Sequence, residues 1–131
     1  MVYRNRVFAV FLIVCLILCG CGGGKPDTIS QEMYDIGLAA LETADDYIAG
    51  KITAAEAEKK LLRAESMADS IYEREKEENG GTMVGFKFTS DLTVPSNILL
   101  LETSISAHDF GTGSMSSVKE RRDIIANQLG K

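Results

Sequence analysis

"YDIGLAALETADDYIAGKITAAEAEKKL", residues 34 to 61, holds two helical patterns that meet at a turn. Stepping by four and three, the first gives Tyr34, Gly37, Leu41, Ala44 and Ile48, and the second gives Ala54, Ala57, Leu61 and Ala64, continuing to Ala68 and Ile71. A period of 3.6 residues puts each set on one face of a helix. Between them, Gly50 is a natural helix C-terminus, and "TAAE" at Thr53 to Glu56 has the form of a capping box. Folding the chain back at residues 50 to 53 pairs Ile48 with Ala54, Ala44 with Ala57, Leu41 with Leu61, Gly37 with Ala64 and Tyr34 with Ala68. Both seams stay in register, so an antiparallel helical hairpin is expected. Small residues at matching levels let such helices approach to about 8 Å. Gly37 costs about 1 kcal/mol of helix propensity, which close approach opposite Ala64 would offset.

Outward from the hairpin the same period recurs. "TISQ", Thr28 to Gln31, reads as another capping box and sets the first helix at 29–49, with the second at 54–77. "EREKEENGG", Glu73 to Gly81, reads as a fraying helix end: its acids oppose the helix dipole, Arg74 and Lys76 partly relieve them, and the glycines stop the run. In "TMVGFKFTSDLTVP", Thr82 to Pro95, the alternation of Val84, Phe86 and Phe88 is a strand period, but a lone strand has no sheet to join. Residues 79–94 are therefore expected to be an extended connector whose phenylalanines lie on the helices, with a short two-stranded element as the alternative. Val94, Ile98, Leu101, Ile105 and His108 then mark a third helix at 95–109, opened by Pro95 or capped by Ser96. "GTG" at Gly111 to Gly113 breaks it. A fourth helix at 116–129, with a capping box from Ser117 to Glu120, turns Val118, Ile125 and Leu129 inward, while Arg121 and Arg122 run along its edge. The expected fold class is all-α: a small three- or four-helix bundle built on the hairpin, forming one domain over residues 28–131 and preceded by a signal peptide.

That last element is legible in the first 20 residues. "MVYRNR" supplies Arg4 and Arg6 and no acid, and "VFAVFLIVCLIL" from Val7 to Leu18 has no polar side chain. A positive region followed by a short apolar one is the plan of an export signal. A membrane-crossing helix needs about 20 apolar residues, and this run is closed sooner by glycines and a proline; an uncleaved anchor is the alternative. The chain has three cysteines and one histidine. A zinc site needs four ligands, and Cys15 and Cys19 lie in or at the end of the apolar run. A Cys19–Cys21 disulfide would close a tiny strained ring, and no downstream cysteine offers a partner.

What remains is "LCGC", Leu18 to Cys21, which resembles the lipobox of bacterial lipoprotein precursors. The resemblance implies that the Cys21 thiol receives diacylglycerol and that the signal is cut after Gly20, whose small side lets a peptidase approach the bond. The rival frame, with Cys19 modified, places bulky Leu18 at the cleavage position. Two or three acyl chains make stable anchoring where one is marginal. The resemblance thus implies a protein held on a cell membrane through lipid on Cys21, facing away from the cytoplasm, with residues 21–27, "CGGGKPD", as a flexible tether. A phosphate-binding loop is the rival for "GGGK", but the earlier glycine it requires is Cys19 and the following Ser or Thr is Pro26. The body, through residues 34 to 61, resembles the helical hairpins of small uncharacterised bacterial lipoproteins.

Charge narrows the function. The full chain has 14 Lys plus Arg against 19 Asp plus Glu; without Arg4 and Arg6 the mature part keeps 12 bases, for a net charge of −7. Such a body is repelled by phosphate backbones, so no nucleic acid is expected as partner. Glu42, Asp45 and Asp46 face away from the hairpin seam and read as solvated surface. His108 and Asp109 lack the further histidines a metal pair needs, and His108, in a last turn, suits a capping or edge role. Ser104, Ser106, Ser114, Ser116 and Ser117 lack a second base and an oxyanion loop, and "GTGSMS" fails the dinucleotide fingerprint. No catalytic residue, metal ligand or cofactor is therefore assigned. The expectation is a non-enzymatic interaction or accessory protein of the cell envelope, with an unidentified envelope protein as partner. The alternative is a small-ligand-binding bundle with Tyr34, Tyr47, Tyr72, Phe86 and Phe88 lining an apolar pocket.

Overall fold

The computed structural model describes residues 24–131, and within them the chain is all-helical. Four helices follow in order: α1 (Gln31–Ile48), α2 (Ala54–Glu78), α3 (Val94–Asp109) and α4 (Met115–Gln128), with a short 3-10 turn, Thr89–Leu92, leading into α3. Export signal, Gly20 cleavage position and Cys21 lie outside the described residues.

Side-chain contacts fix the directions. Ser30, at the start of α1, bonds Asp91, just before α3, whereas Tyr47 near the end of α1 bonds His108 near the end of α3. These two helices therefore run parallel. Gln128, closing α4, bonds Thr93 and pairs with Asn97 at the opening of α3, so α3 and α4 are antiparallel. The order is up-down-up-down. α1 packs on α2 and α4, α3 packs on the same two, and the α1–α3 diagonal is sparse. This is the square arrangement that short antiparallel connections produce.

The hairpin forms for the reasons its sequence gives. Thr53 Oγ1 accepts the Glu56 N–H at 3.3 Å while Glu56 Oε2 accepts the Thr53 N–H at 2.8 Å, a complete capping box. Gly50 sits at φ +72° one residue past the end of α1, a left-handed position that only glycine takes without cost. All six expected seam residues of α2, Ala54, Ala57, Leu61, Ala64, Ala68 and Ile71, are buried.

α1 buries more than one seam. Besides Tyr34, Gly37, Leu41 and Ala44 it covers Met33, Ile36, Ala40 and Thr43, whereas Ile48 is only half-buried. A helix in a hairpin hides one stripe; with α2 on one flank and α4 on the other, α1 hides two. Gly37, from the expected seam, lies on the flank covered by α4. A β-carbon there would meet Leu129 Cδ2 at 2.8 Å, so the glycine makes room for the end of α4 rather than for Ala64 as the paired seam implied. Leu129 itself is fully buried. The remaining core comes from Val94, Ile98, Leu101 and Ile105 of α3 and Val118 and Ile125 of α4, the stripes expected from spacing.

Two caps differ from expectation. α1 is capped by Ser30, whose Oγ accepts the Met33 N–H at 3.3 Å, and not by Thr28. α4 is capped by Ser114, which accepts the Ser117 N–H, so the helix starts before the Ser117 to Glu120 motif. In both cases several Ser or Thr residues crowd the start. α3 begins at Val94 and opens with Pro95 in its first turn, one of the two expected starts, with no side-chain cap. No strand occurs among the described residues: Phe86 is buried and stacks on Tyr72 with ring centroids 6.0 Å apart, while Val84 is 83% exposed. One phenylalanine, not an alternating row, decides how the connector lies.

Candidate functional site

The hairpin that organises the core also shapes its outer face. On the side of α1 and α2 away from α3 and α4 lies an open groove of about 820 Å³. Its floor is Ile36, Ala39 and Thr43 from α1 with Ala64 and Ile71 from α2, and Met67 stands on it half exposed. Small side chains at Ala39 and Ala64 keep the trough open. Its rims differ in sign: Glu32, Asp35 and Glu42 line the α1 side, Lys60 and Arg63 the α2 side. Arg74 closes one end by pairing with Glu32. Among the described residues Glu42, Lys60 and Arg63 have no ion-pair partner, and Asp35 takes only a hydrogen bond from Gln31 Nε2 at 2.8 Å.

A second cluster sits at the end of the bundle where α1 starts. Asp91, fully buried, accepts the Ser30 N–H on Oδ1 at 3.0 Å and the Ser30 hydroxyl on Oδ2 at 2.5 Å. Ser90 N donates to the Thr28 carbonyl at 2.8 Å, and the Thr28 and Ser90 hydroxyls lie 2.9 Å apart. Lys25 Nζ donates to the Ile29 carbonyl at 2.6 Å and stands over the Phe88 ring. Within residues 21–27, the described part from Lys25 onward is thus docked on the body. Glu75, from the last turns of α2, joins this cluster with an enclosed Oε2 that has no hydrogen-bond partner among the described residues. Burial, and then the adjoining Asp91 carboxylate, push its carboxyl from 4.5 up to about 7.

A pH prediction follows from that direction. With the folded value raised, folding takes up a proton between about 4.5 and about 7, so this group's contribution is fully favourable below that window and is lost as pH rises through it. Glu75→Gln is therefore expected to leave the melting temperature little changed at pH 5 and to raise it at pH 8. Solvent screening at the side chain's open edge holds the gain to about 1 kcal/mol, or roughly 4–8 °C for a domain this size. A difference between variant and wild type that stays flat across this range contradicts the assignment.

The opposite end holds the only histidine. His108 Nδ1 and the Tyr47 hydroxyl are 2.6 Å apart, with the rings edge to face at 5.9 Å. Burial, then Asp109, raise the Tyr47 phenol above its usual value. His108 is a helix-end residue tied to α1, as an edge role requires. Asp45 is more than solvated surface: both its oxygens take bonds from Arg122, at 2.8 and 3.1 Å, which ties α1 to α4 and gives Arg122 a partner in place of a free run along the helix edge. Asp46 pairs with Lys51 across the turn.

Three of the five serines, Ser104, Ser114 and Ser117, make local structural bonds. Ser104 donates to the Leu100 carbonyl and Ser114 caps α4. The five aromatics do not gather around one pocket: Tyr47 is at one end with His108, Tyr72 and Phe86 stack near the other, and Lys131 stands over Tyr34. None lines the groove. Among the described residues no group of three or more His, Cys, Asp or Glu side chains could hold a metal ion, and no helix is long and apolar enough to cross a membrane.

The groove had a sequence signal that a two-helix seam does not use: Ile36, Ala39 and Thr43 repeat at three and four beside the first stripe. The Ser30–Asp91 bond spans 61 positions and had none. Comparison with known proteins adds no candidate: no protein family, no curated protein and no solved structure matches the chain.

Proposed function

We propose that this protein is a membrane-anchored lipoprotein of the cell envelope that works by binding another protein surface in the α1–α2 groove. The observation that carries the binding role is the groove itself. It is open along its length and apolar on its floor, and its charged rims differ in sign, features that suit a helix or a helical face rather than an enclosed small molecule. The dispersal of the aromatic residues counts against the small-ligand alternative.

The anchor rests on "LCGC" and the apolar run before it. Lys25 is held on the body, so an acylated Cys21 would be separated from it by only Cys21 to Gly24, about 14 Å of fully extended chain. The end of the bundle bearing the Ser30–Asp91 cluster would then face the bilayer, and the groove would run away from the membrane.

Two measurements test this. A fatty-acid label supplied to cells is expected in the wild-type protein and absent from Cys21→Ala; label retained by that variant would move the modification elsewhere. A photo-reactive residue placed at Met67 is expected to give a discrete cross-linked product in intact cells, and the same probe at Lys119, on α4, is not. Cross-linking from Lys119 alone would assign the interface to another face.

A further inference from the structure

We infer that the occupant of the α1–α2 groove is the same groove of a second copy of this chain, the two related by a twofold axis parallel to the helices. The inference rests on the lipoprotein reading above and names its partner. It begins from the rims. Counted from Lys51 in the turn, Glu42 and Lys60 lie the same number of residues away on either side, and Arg63 falls between the distances of Glu42 and Asp35, with acids on α1 and bases on α2. Glu32 at the groove's end pairs with Arg74, while Glu42, Lys60 and Arg63 have no ion-pair partner among the described residues.

Face-to-face pairing of two such surfaces allows two simple axes. An axis across the helices would lay α1 on α1 and α2 on α2, setting acid on acid and base on base. An axis along the helices lays α1 of each copy on α2 of the other and preserves the level of every residue. Glu42 then meets Lys60 of the second copy, and Arg63 falls between Asp35 and Glu42. Like charges brought together at an interface cost several kcal/mol, so charge alone selects the second arrangement.

The anchor selects it independently. An axis along the helices keeps both N-termini at the same end of the dimer, where both lipids can enter one bilayer; the crossed axis would send them to opposite ends. Shape agrees. Two facing troughs leave a hollow between them, and Met67, 51% exposed, projects from each side as an unbranched, adaptable side chain able to fill it.

The area sets the strength. Two helix widths of about 10 Å over some 18 residues give a face of about 20 by 27 Å. Burying it on both copies removes about 1,000 Å², at the lower limit for a specific interface. Confinement of both copies to one membrane raises their effective concentration and would complete the association.

The test uses the full-length chain, co-expressed with two different tags and purified in mild detergent. Wild-type copies are expected to co-purify. Asp35→Lys with Glu42→Lys makes both rims basic, and Lys60→Glu with Arg63→Glu makes both acidic. Each double variant alone should lose about tenfold or more of the co-purified partner, and the two expressed together should recover it, because basic rims then meet acidic ones at both contacts. Persistence of self-association in either variant alone, or failure of the mixed pair to recover, overturns the inference. In the unsubstituted chain the Met67 photo-probe should give a product of twice the monomer mass. A product with a different protein and none of that mass overturns the self-pairing and leaves the interaction role standing. No product at all removes both.

Discussion

Replacing Leu61 with aspartate is expected to abolish the cooperative melting transition. Leu61 is fully buried in the first half of α2, within the core to which all four helices contribute. Truncating a buried leucine costs about 2–5 kcal/mol from lost contacts and the cavity left behind. The carboxylate adds the cost of a charge in an apolar site with no basic partner, several kcal/mol more unless it takes up a proton. Against a stability of about 5–15 kcal/mol for a domain of this size, the sum removes most or all of the folded population. Circular dichroism during heating should show weak helicity that declines without a sharp midpoint. A transition of wild-type steepness within a few degrees of the original would mean that Leu61 is not a core residue and that the hairpin is wrongly paired. Leu62→Asp is the control: its neighbour is half exposed and should tolerate the change.

The second large effect is expected at Asp91. Asp91→Ala removes the acceptor of both the Ser30 N–H and the Ser30 hydroxyl, leaving a buried N–H unpaired at the start of α1. An orphaned buried donor costs about 1–3 kcal/mol, and two bonds to the carboxyl group are lost together, so a total of about 2–4 kcal/mol is expected. Two further observations separate this clamp from a generic core defect. Ser30→Ala combined with Asp91→Ala should cost less than the sum of the two single changes, since the partners share one interaction. Relief of Glu75 from the Asp91 charge should also bring its carboxyl down toward the ordinary range and flatten the pH dependence described above. Additive costs and an unchanged pH slope would together show that the three groups act separately.

The two cases mark where sequence reading works in this chain. Leu61 could be placed in the core from spacing alone, because helical periodicity is local: each turn repeats within four residues. The α2, α3 and α4 stripes were legible for the same reason. Caps were less so. Thr28, Ser30, Ser114 and Ser117 are all competent caps, and which one serves depends on where the flanking residues meet the core. Asp91 and Glu75 gave no signal at all. Asp91 reads as one polar residue in a connector and Glu75 as one acid among several at a fraying end; only the return of α3 beside the start of α1 brings Ser30, Asp91 and Glu75 together.

Gly37 shows the same division within a single residue. Its place on a buried face is local information, and its reason for being glycine, the Leu129 side chain 92 positions later, is not. The sequence by itself therefore determined the helical class, the turn between the first two helices and the acidic charge of the body, since each depends on residues within a few turns of one another. Only the tertiary structure decided that α1 hides two faces, that its N-terminal segment is clamped beside the 3-10 turn, and that a charged-rimmed groove is left on the outside of the hairpin. Those features exist because α3 returns beside the start of α1 and α4 closes the square, and no pattern within one helix specifies which of its faces a later helix covers.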